Sequence, residues 1–100
     1  MIRVVLMVAA LAQLAQYYRL PFFGTAGCSD AKAADAQAGI EAAFSCLSSA
    51  LSGANLIHDS GWLDHGSVAS PAYMVLVNAV LDMVNQFMKG LPVNAETLAV

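Results

Sequence analysis

The spacing of apolar residues along the chain predicts three helices separated by two short strands. Apolar residues recur every three or four positions over Val4–Arg19, Ala33–Ser52 and Ser70–Lys89, as they do on the covered face of a helix. Two short apolar segments, Pro21–Thr25 and Ala54–His58, lie between these helices and are typical of strands. The predicted order is therefore helix, strand, helix, strand, helix.

The predicted helix ends fall at residues that begin or end helices for physical reasons. Pro21 disfavours helical backbone at the residue before it and has no N–H group to donate. Ser70 is a suitable N-cap, and Pro71 at the first helical position loses little by lacking its N–H. Gly53 and Gly90 follow the second and third helices, where glycine commonly ends a helix.

The two strands begin at Pro21 and Ala54, 33 residues apart, which fits a βαβ unit of about 30 residues or more. A fourth helix is predicted to begin after Asn94 and to include Thr97 and Leu98. The order α-β-α-β-α-(α) favours an α/β fold with parallel strands and helices outside.

The second predicted helix carries large apolar residues in one row and small residues in the adjoining rows. The large residues recur at i, i+4, i+7 and i+11, and the small ones let a helix lie close on a sheet. Cys46 falls on the apolar side, as expected for a packed thiol. The large residues are Ile40, Phe44, Leu47 and Leu51, and the small ones are Ala36, Gly39, Ala43 and Ala50.

The composition suggests part of a larger domain. The chain is 59% apolar and 11% charged, against about 45–50% and about 25% in soluble domains. Its net charge is −3 and its four basic residues are scattered, so nucleic-acid binding has no electrostatic footprint. The longest apolar run, Val4–Ala12, has nine residues, fewer than the roughly 20 that span a bilayer. We predict no membrane segment, and a single fragment over residues 1–100.

A second interpretation of the N-terminal region stays open. Residues 1–12 have a basic start and a short apolar core, as in a secretory signal. The chain is then a small secreted module with a Cys28–Cys46 disulfide and no enzymatic activity. We favour two reduced thiols and a cytoplasmic protein, because Cys46 is predicted to be packed in the core.

The polar loop after the first strand is the first candidate for chemistry, because ligands of parallel β/α folds bind at the carboxyl ends of strands. It contains Thr25, Gly27, Cys28, Ser29 and Asp30. The Asp30 carboxylate is suited to orient a substrate or attract an ammonium cation. The alternative is that Ser29 or Asp30 caps the following helix.

For Asp35, in the first turn of the second helix, we expect compensation of the helix dipole and nothing more.

The loop after the second strand holds the second set of candidates. His58 can donate a hydrogen bond or relay a proton, and Asp59 follows it directly. Trp62 can form one wall of a cation site. The structural alternatives are a satisfied polar residue for His58 and an apolar plug for Trp62. We predict no metal site, since Cys28, His58 and His65 have no zinc-ligand spacing.

Several motifs in order give the chain a family resemblance over about Leu11–Val100. They resemble the trimethylamine methyltransferase family, whose members are corrinoid-dependent enzymes on a (β/α)₈ barrel. Family members are several-fold longer, so the resemblance implies a fragment of the C-terminal half of such a barrel. The motifs are Tyr17-Tyr18, Leu20-Pro21, Gly27-Cys28-Ser29-Asp30, Asp35-Ala36-Gln37-Ala38-Gly39 and Gly53-Ala54-Asn55-Leu56-Ile57-His58.

The resemblance implies methyl transfer from trimethylamine, or from a quaternary amine such as glycine betaine, to the Co(I) corrinoid of a partner protein. Trimethylamine-specific members use pyrrolysine and others lack it, so the substrate stays open. No cofactor is expected to bind the chain directly, the fragment alone is expected to be inactive, and the full-length parent is expected to be a homo-oligomer. The predicted catalytic residues are Asp30 and His58, and the predicted substrate-binding residues are Trp62, Asp59, Thr25 and Gly27.

Overall fold

The predicted order of helices and strands is present, with an added hairpin before the last helix. The structure, a computed structural model, describes residues 1–98 of the chain. The helices are α1 (Ile2–Tyr17), α2 (Ala36–Ser52) and α3 (Pro71–Lys89), and the strands are β1 (Phe23–Thr25), β2 (Leu56–His58), β3 (Trp62–Leu63) and β4 (Val68–Ala69).

The elements before α3 are shorter or shifted relative to the prediction. Helix α1 ends at Tyr17 because Arg19 adopts a left-handed backbone with φ 57°. Helix α2 begins at Ala36 and not at Ala33, because Asp35 has extended backbone and its carboxylate accepts a hydrogen bond from Ala38 N at 3.0 Å. The expectation that Asp35 lies in the first turn is therefore wrong: Asp35 is the N-cap, and neither Ser29 nor Asp30 caps this helix.

Helix α3 has the predicted ends. The Ser70 hydroxyl accepts a hydrogen bond from Tyr73 N at 3.2 Å, Pro71 is the first helical residue, and Gly90 is the C-cap. Gly53 likewise caps α2 in the left-handed conformation with φ 82°. These caps satisfy backbone groups that a helix end leaves unpaired.

Strands β1 and β2 pair in parallel, with Phe23 opposite Leu56 and Thr25 opposite His58. Because side chains alternate along a strand, these four residues share one face of the sheet. The other face carries Gly24 and Ile57. A Cβ on Gly24 would lie 3.5 Å from Val8 of α1, so this second face is the one that the helices cover.

Helix α2 lies between α1 and α3 and buries small residues other than those predicted. Ala36 and Ala43 of the predicted small rows are exposed. The buried row consists of Ala38, Ala42, Ser45, Cys46 and Ser49. The row of large residues expected to form the apolar stripe is mostly exposed, with Ile40 at 66% and Phe44 at 57%. Small side chains face the sheet because they allow a close approach of the helix backbone.

Tyr73 of α3 packs against α2. It is fully buried, and its hydroxyl donates a hydrogen bond of 3.1 Å to the carbonyl of Ala38. Burial raises the pKa of the Tyr73 hydroxyl above its ordinary value, so the group stays a donor at neutral pH.

The loop predicted over residues 59–66 contains structure that the sequence pattern did not indicate. Strands β3 and β4 form an antiparallel hairpin, joined by a 3₁₀ turn over Asp64–Gly66. Asp64 and His65 have φ values of 48° and 54°, an uncommon conformation outside glycine. Two-residue strands give too short an alternation to detect by periodicity.

The fourth helix predicted after Asn94 is absent over residues 94–98, where the backbone forms turns. The Asn94 side chain accepts hydrogen bonds from Glu96 N and Thr97 N, both at 3.0 Å. Asparagine commonly makes such local turns in place of a helix. The remainder of this predicted helix lies outside the described residues.

Two parallel strands with helices packed on one face confirm the α/β class. The (β/α)₈ barrel stays a prediction at this point. Among the described helices, none combines the length and the apolar character that crossing a membrane requires.

Candidate functional site

The carboxyl ends of β1 and β2 meet at one edge of the sheet, and the loops that follow them form a cavity of about 490 Å³. Thr25 ends β1 beside His58, which ends β2. The parallel register therefore unites candidates that lie more than thirty positions apart in the sequence. The cavity is lined by Met1, Val4, Thr25, Cys28, Ser29, Asp30, Asp59, Trp62, His65 and Gly66.

Asp59 links the two strand ends through hydrogen bonds. Its Oδ2 atom lies 2.8 Å from His58 Nδ1 and accepts a hydrogen bond of 2.9 Å from the Thr25 hydroxyl. The hydrogen bond from His58 holds the pKa of Asp59 below its ordinary value, and the Thr25 hydroxyl acts in the same direction. Because an ionised carboxylate only accepts, His58 carries a proton on Nδ1 and leaves Nε2 available.

The backbone at Asp59 is in the left-handed region, with φ 72°. Such a conformation costs about 1–3 kcal/mol outside glycine and persists where surrounding contacts hold it. The contacts here are those to Thr25 and His58. The ring of His58 also packs on Phe23, with centroids 4.2 Å apart.

Asp30 projects into the same cavity from the β1–α2 loop. Its Oδ1 lies 2.9 Å from His65 Nδ1, and its Oδ2 lies 3.0 Å from the Met1 amino group. An aspartate carboxylate is ionised at neutral pH, and the Asp30 side chain is 29% exposed, so it is accessible to a cation.

Gly27 precedes Cys28 of the cavity wall and lies against Ser60 and Gly61, in the segment that follows β2. Its φ is 75°, and a Cβ there would lie 2.8 Å from Val77 and 2.9 Å from the Ser60 hydroxyl. Its N–H donates to the Ser45 hydroxyl at 3.1 Å, and its carbonyl accepts from Gly61 N at 3.0 Å. Only glycine fits this position without strain.

Trp62 and Cys28 give the cavity an apolar and a weakly polar wall. Trp62 lines it with 39% of its surface exposed. The Cys28 sulfur lies 3.9 Å from the Thr25 hydroxyl, and burial raises the pKa of its thiol above the ordinary value. Cys28 is consequently a thiol and not a thiolate at neutral pH.

Of the predicted site residues, Asp30, Asp59, Thr25 and Trp62 line the cavity. His58 adjoins it through Asp59, and Gly27 precedes Cys28 of its wall. Their roles in binding and catalysis stay predictions.

Glu41 was not among the predicted site residues, and its carboxylate accepts hydrogen bonds from Ser29 and Asp30. Glu41 is the one acidic residue inside the described α2, which is the signal that could have singled it out.

Comparison with known proteins confirms the family. The family profile described as trimethylamine methyltransferase (MTTB) matches residues 3–100, so the chain belongs to this family. It is 47% identical over 92 residues to a trimethylamine methyltransferase of Methanosarcina mazei, covering 92% of this chain and 19% of the relative. A trimethylamine methyltransferase of Desulfitobacterium hafniense is 41% identical over 92 residues, covering 92% and 18%.

A glycine betaine methyltransferase of Desulfitobacterium hafniense is also similar, with 30% identity over 95 residues, 94% of this chain and 20% of the relative. The chain thus spans about a fifth of the length of the curated relatives it matches. These matches confirm the prediction of a fragment.

The interpretation as a secreted module finds no support. The family match begins at residue 3, inside the segment that this interpretation assigns to a signal peptide. That segment belongs to α1, where Val5, Val8 and Ala12 are buried. Cys28 and Cys46 are both free thiols.

Proposed function

We propose that this chain is a section of a longer methyltransferase that moves a methyl group from a tertiary or quaternary methylamine to the corrinoid of a partner protein. The observation that carries the proposal is the convergence of Asp30, Asp59 and Trp62 on one cavity at the carboxyl ends of parallel strands. Trimethylamine and glycine betaine, named in the relatives, both fit this substrate class.

The fold supports a section of a (β/α)₈ barrel. In such a barrel, helices cover the outer face of every strand and the active site lies at the carboxyl ends. Here the helices cover the face that carries Gly24 and Ile57. The opposite face carries Thr25 and His58 at its carboxyl end, so both side chains would point into the mouth of the barrel.

Asp30 and Trp62 would hold the cationic substrate. The Asp30 carboxylate lines the cavity and its side chain is 29% exposed, which leaves it accessible to an alkylammonium charge. An aromatic ring attracts a quaternary ammonium through its face, and Trp62 exposes its ring to the same cavity. Together they would orient the methyl group and exclude water from it.

The cavity suits an external methyl acceptor. Cys28 lies in its wall, but the raised pKa of its thiol makes it a weak nucleophile at neutral pH. The reduced cobalt of a corrinoid, carried by a partner protein, supplies the nucleophile when it is docked at the mouth. The residues of this chain then have the task of binding and orienting the amine.

His58 would assist the release of the demethylated amine. Loss of the methyl group leaves a neutral, basic amine in a cavity arranged for a cation. With Nδ1 held by Asp59 at 2.8 Å, Nε2 is the ring atom left to exchange a proton with that amine and so assist its release.

The test is methyl transfer by the full-length protein, with its corrinoid partner and with trimethylamine and glycine betaine as alternative substrates. Asp30→Asn keeps the shape of the side chain and removes its charge. We expect transfer to fall about tenfold to a thousandfold, at about 1.4 kcal/mol per decade, with folding unaffected. The spectrum of the methylated corrinoid measures the rate.

Asp35→Asn is the matched control, because it removes one carboxylate nearby while asparagine still caps α2. It should leave transfer within about threefold of the unmodified rate, well inside one decade. An equal result for Asp30→Asn would end the assignment of this loop to the chemistry. Absence of transfer from every methylamine tested would end the proposed function itself.

A further inference from the structure

We propose that Glu41 is a positioning residue that fixes the Asp30 carboxylate for cation binding, an inference that rests on the proposed function. Glu41 lies on α2, behind the β1–α2 loop, and is not among the described residues that line the cavity. It therefore acts through the loop and not by contact with the substrate.

Both oxygens of the Glu41 carboxylate accept hydrogen bonds from neighbouring residues. Its Oε2 accepts hydrogen bonds from the Ser29 hydroxyl and, at 2.9 Å, from the backbone N–H of Asp30. Its Oε1 accepts from Gln37 Nε2 at 3.1 Å. Burial raises the pKa of Glu41, but these hydrogen bonds outweigh burial and hold the pKa below its ordinary value. Glu41 is thus a charged acceptor at neutral pH.

Ser29 connects Glu41 to the rest of the loop through hydrogen bonds. It is 1% exposed, and its hydroxyl accepts a hydrogen bond of 2.9 Å from Ala31 N. The hydroxyl proton is consequently directed at Glu41. Ser29 N also donates to the Trp62 carbonyl at 2.9 Å. The Glu41 carboxylate therefore holds the loop at Ser29 and Asp30, and the Ser29 N–H joins the same loop to the segment that carries Trp62.

The consequence is a fixed direction for the Asp30 side chain. The Asp30 N–H is bound to Glu41, while the Asp30 carboxylate lines the cavity with Oδ1 2.9 Å from His65 Nδ1. Hydrogen bonds to an ionised acceptor are about twice as strong as neutral ones. A neutral residue at position 41 would let the loop relax and would loosen the site without removing any group that touches the cation.

The experiment is a double-mutant cycle on the full-length protein, with tetramethylammonium as the probe and its Kd measured by calorimetry. Glu41→Ala should raise the Kd about tenfold, and Glu41→Gln, whose amide oxygen still accepts, about threefold, in the range of coupled neighbouring residues. Asp30→Asn should raise it about tenfold or more. In the Asp30→Asn background, both Glu41 substitutions should change the Kd by less than about twofold.

Each outcome is decisive. If the Glu41 substitutions weaken binding equally in both backgrounds, or in neither, Glu41 has a structural or long-range electrostatic role and the positioning role is overturned. If Asp30→Asn leaves the Kd unchanged, Asp30 does not hold the cation, and the proposed cation site fails first. Asp35→Asn, on the same helix but without contact to Ser29 or Asp30, should leave the Kd unchanged in both backgrounds.

Discussion

The two faces of the β1–β2 sheet are made by alternate residues of the same strands, yet they differ in almost every property. The covered face carries Gly24 and Ile57 and meets small buried side chains of α2 and the side chain of Val8 in α1. The open face carries Phe23 and Leu56, which are 62% and 66% exposed. The covered face is packed as a core, whereas the large apolar residues of the open face are exposed.

The polar chemistry follows the same division. Thr25 and His58 lie at the carboxyl end of the open face, and the loops beyond them bring Asp30 and Asp59 to the cavity. Apolar residues along the strands and hydrogen-bonded carboxylates at their carboxyl ends are the arrangement expected of a barrel interior and its mouth. This difference is what the proposed barrel requires: the helices of this section would cover its outside, and further strands would line its inside.

The sharpest way to break this comparison is to express the 100 residues alone. Uncovered apolar side chains and two unpaired strand edges favour association. We expect soluble aggregates or a molten oligomer that binds a hydrophobic dye, detected by size-exclusion chromatography with light scattering. A monodisperse monomer with a sharp, cooperative melt would contradict the view that the open face is an interior.

Truncation of one residue on the covered side should be the most costly single change. Tyr73→Ala in the full-length protein removes a fully buried ring and its hydrogen bond to Ala38. We expect a loss of about 3–5 kcal/mol, as for other large aromatic residues in a core, measured by denaturant unfolding.

Phe44→Ala is the matched control on the outer side of α2, where Phe44 is 57% exposed. It should cost less than about 1 kcal/mol, as exposed substitutions usually do. Equal losses for the two variants would mean that the outer side of α2 is covered as thoroughly as the sheet side.

The two cysteines should differ in reactivity, because Cys28 lies in the cavity wall and Cys46 lies in the core. Burial raises the pKa of Cys46 to about 11 from 9.0, which lowers its thiolate fraction about a hundredfold at neutral pH, ten for each unit. Cys28, half-buried in the cavity wall, has a smaller upward shift in pKa. With iodoacetamide, Cys28 should react first, at a rate that rises with pH, and Cys46 only after unfolding, as read by mass spectrometry. Faster labelling of Cys46 would place it outside the core.

The three helices and the two parallel strands could be predicted from the sequence, whereas the β3–β4 hairpin could not, for physical reasons. The ends of α3 were readable because Ser70, Pro71 and Gly90 have strong local preferences. The β3–β4 hairpin was not readable, since two-residue strands show no alternation and its turn uses Asp64 and His65 in a conformation that favours glycine. Residues that break local rules are set by tertiary contacts.

The location of the candidate site could be predicted from the sequence, but its network of hydrogen bonds could not. The rule that ligands bind at carboxyl ends of parallel strands indicated Asp30 and His58. It could not indicate that His65 pairs with Asp30, or that Glu41 binds the loop from behind. His65 lies in the β3–β4 hairpin and Glu41 lies on α2. Which side of each of these elements faces the Asp30 loop is set by tertiary packing.

The central claim is that the open face lines the inside of a barrel whose mouth holds a methylated ammonium cation. A crystal structure of the full-length protein with bound tetramethylammonium tests it most directly. We predict Thr25 and His58 inside a closed barrel, with the cation facing the Asp30 carboxylate and within about 6 Å of the Trp62 ring. A cation bound elsewhere, or an Asp30 loop on the outer surface of the barrel, would contradict the account.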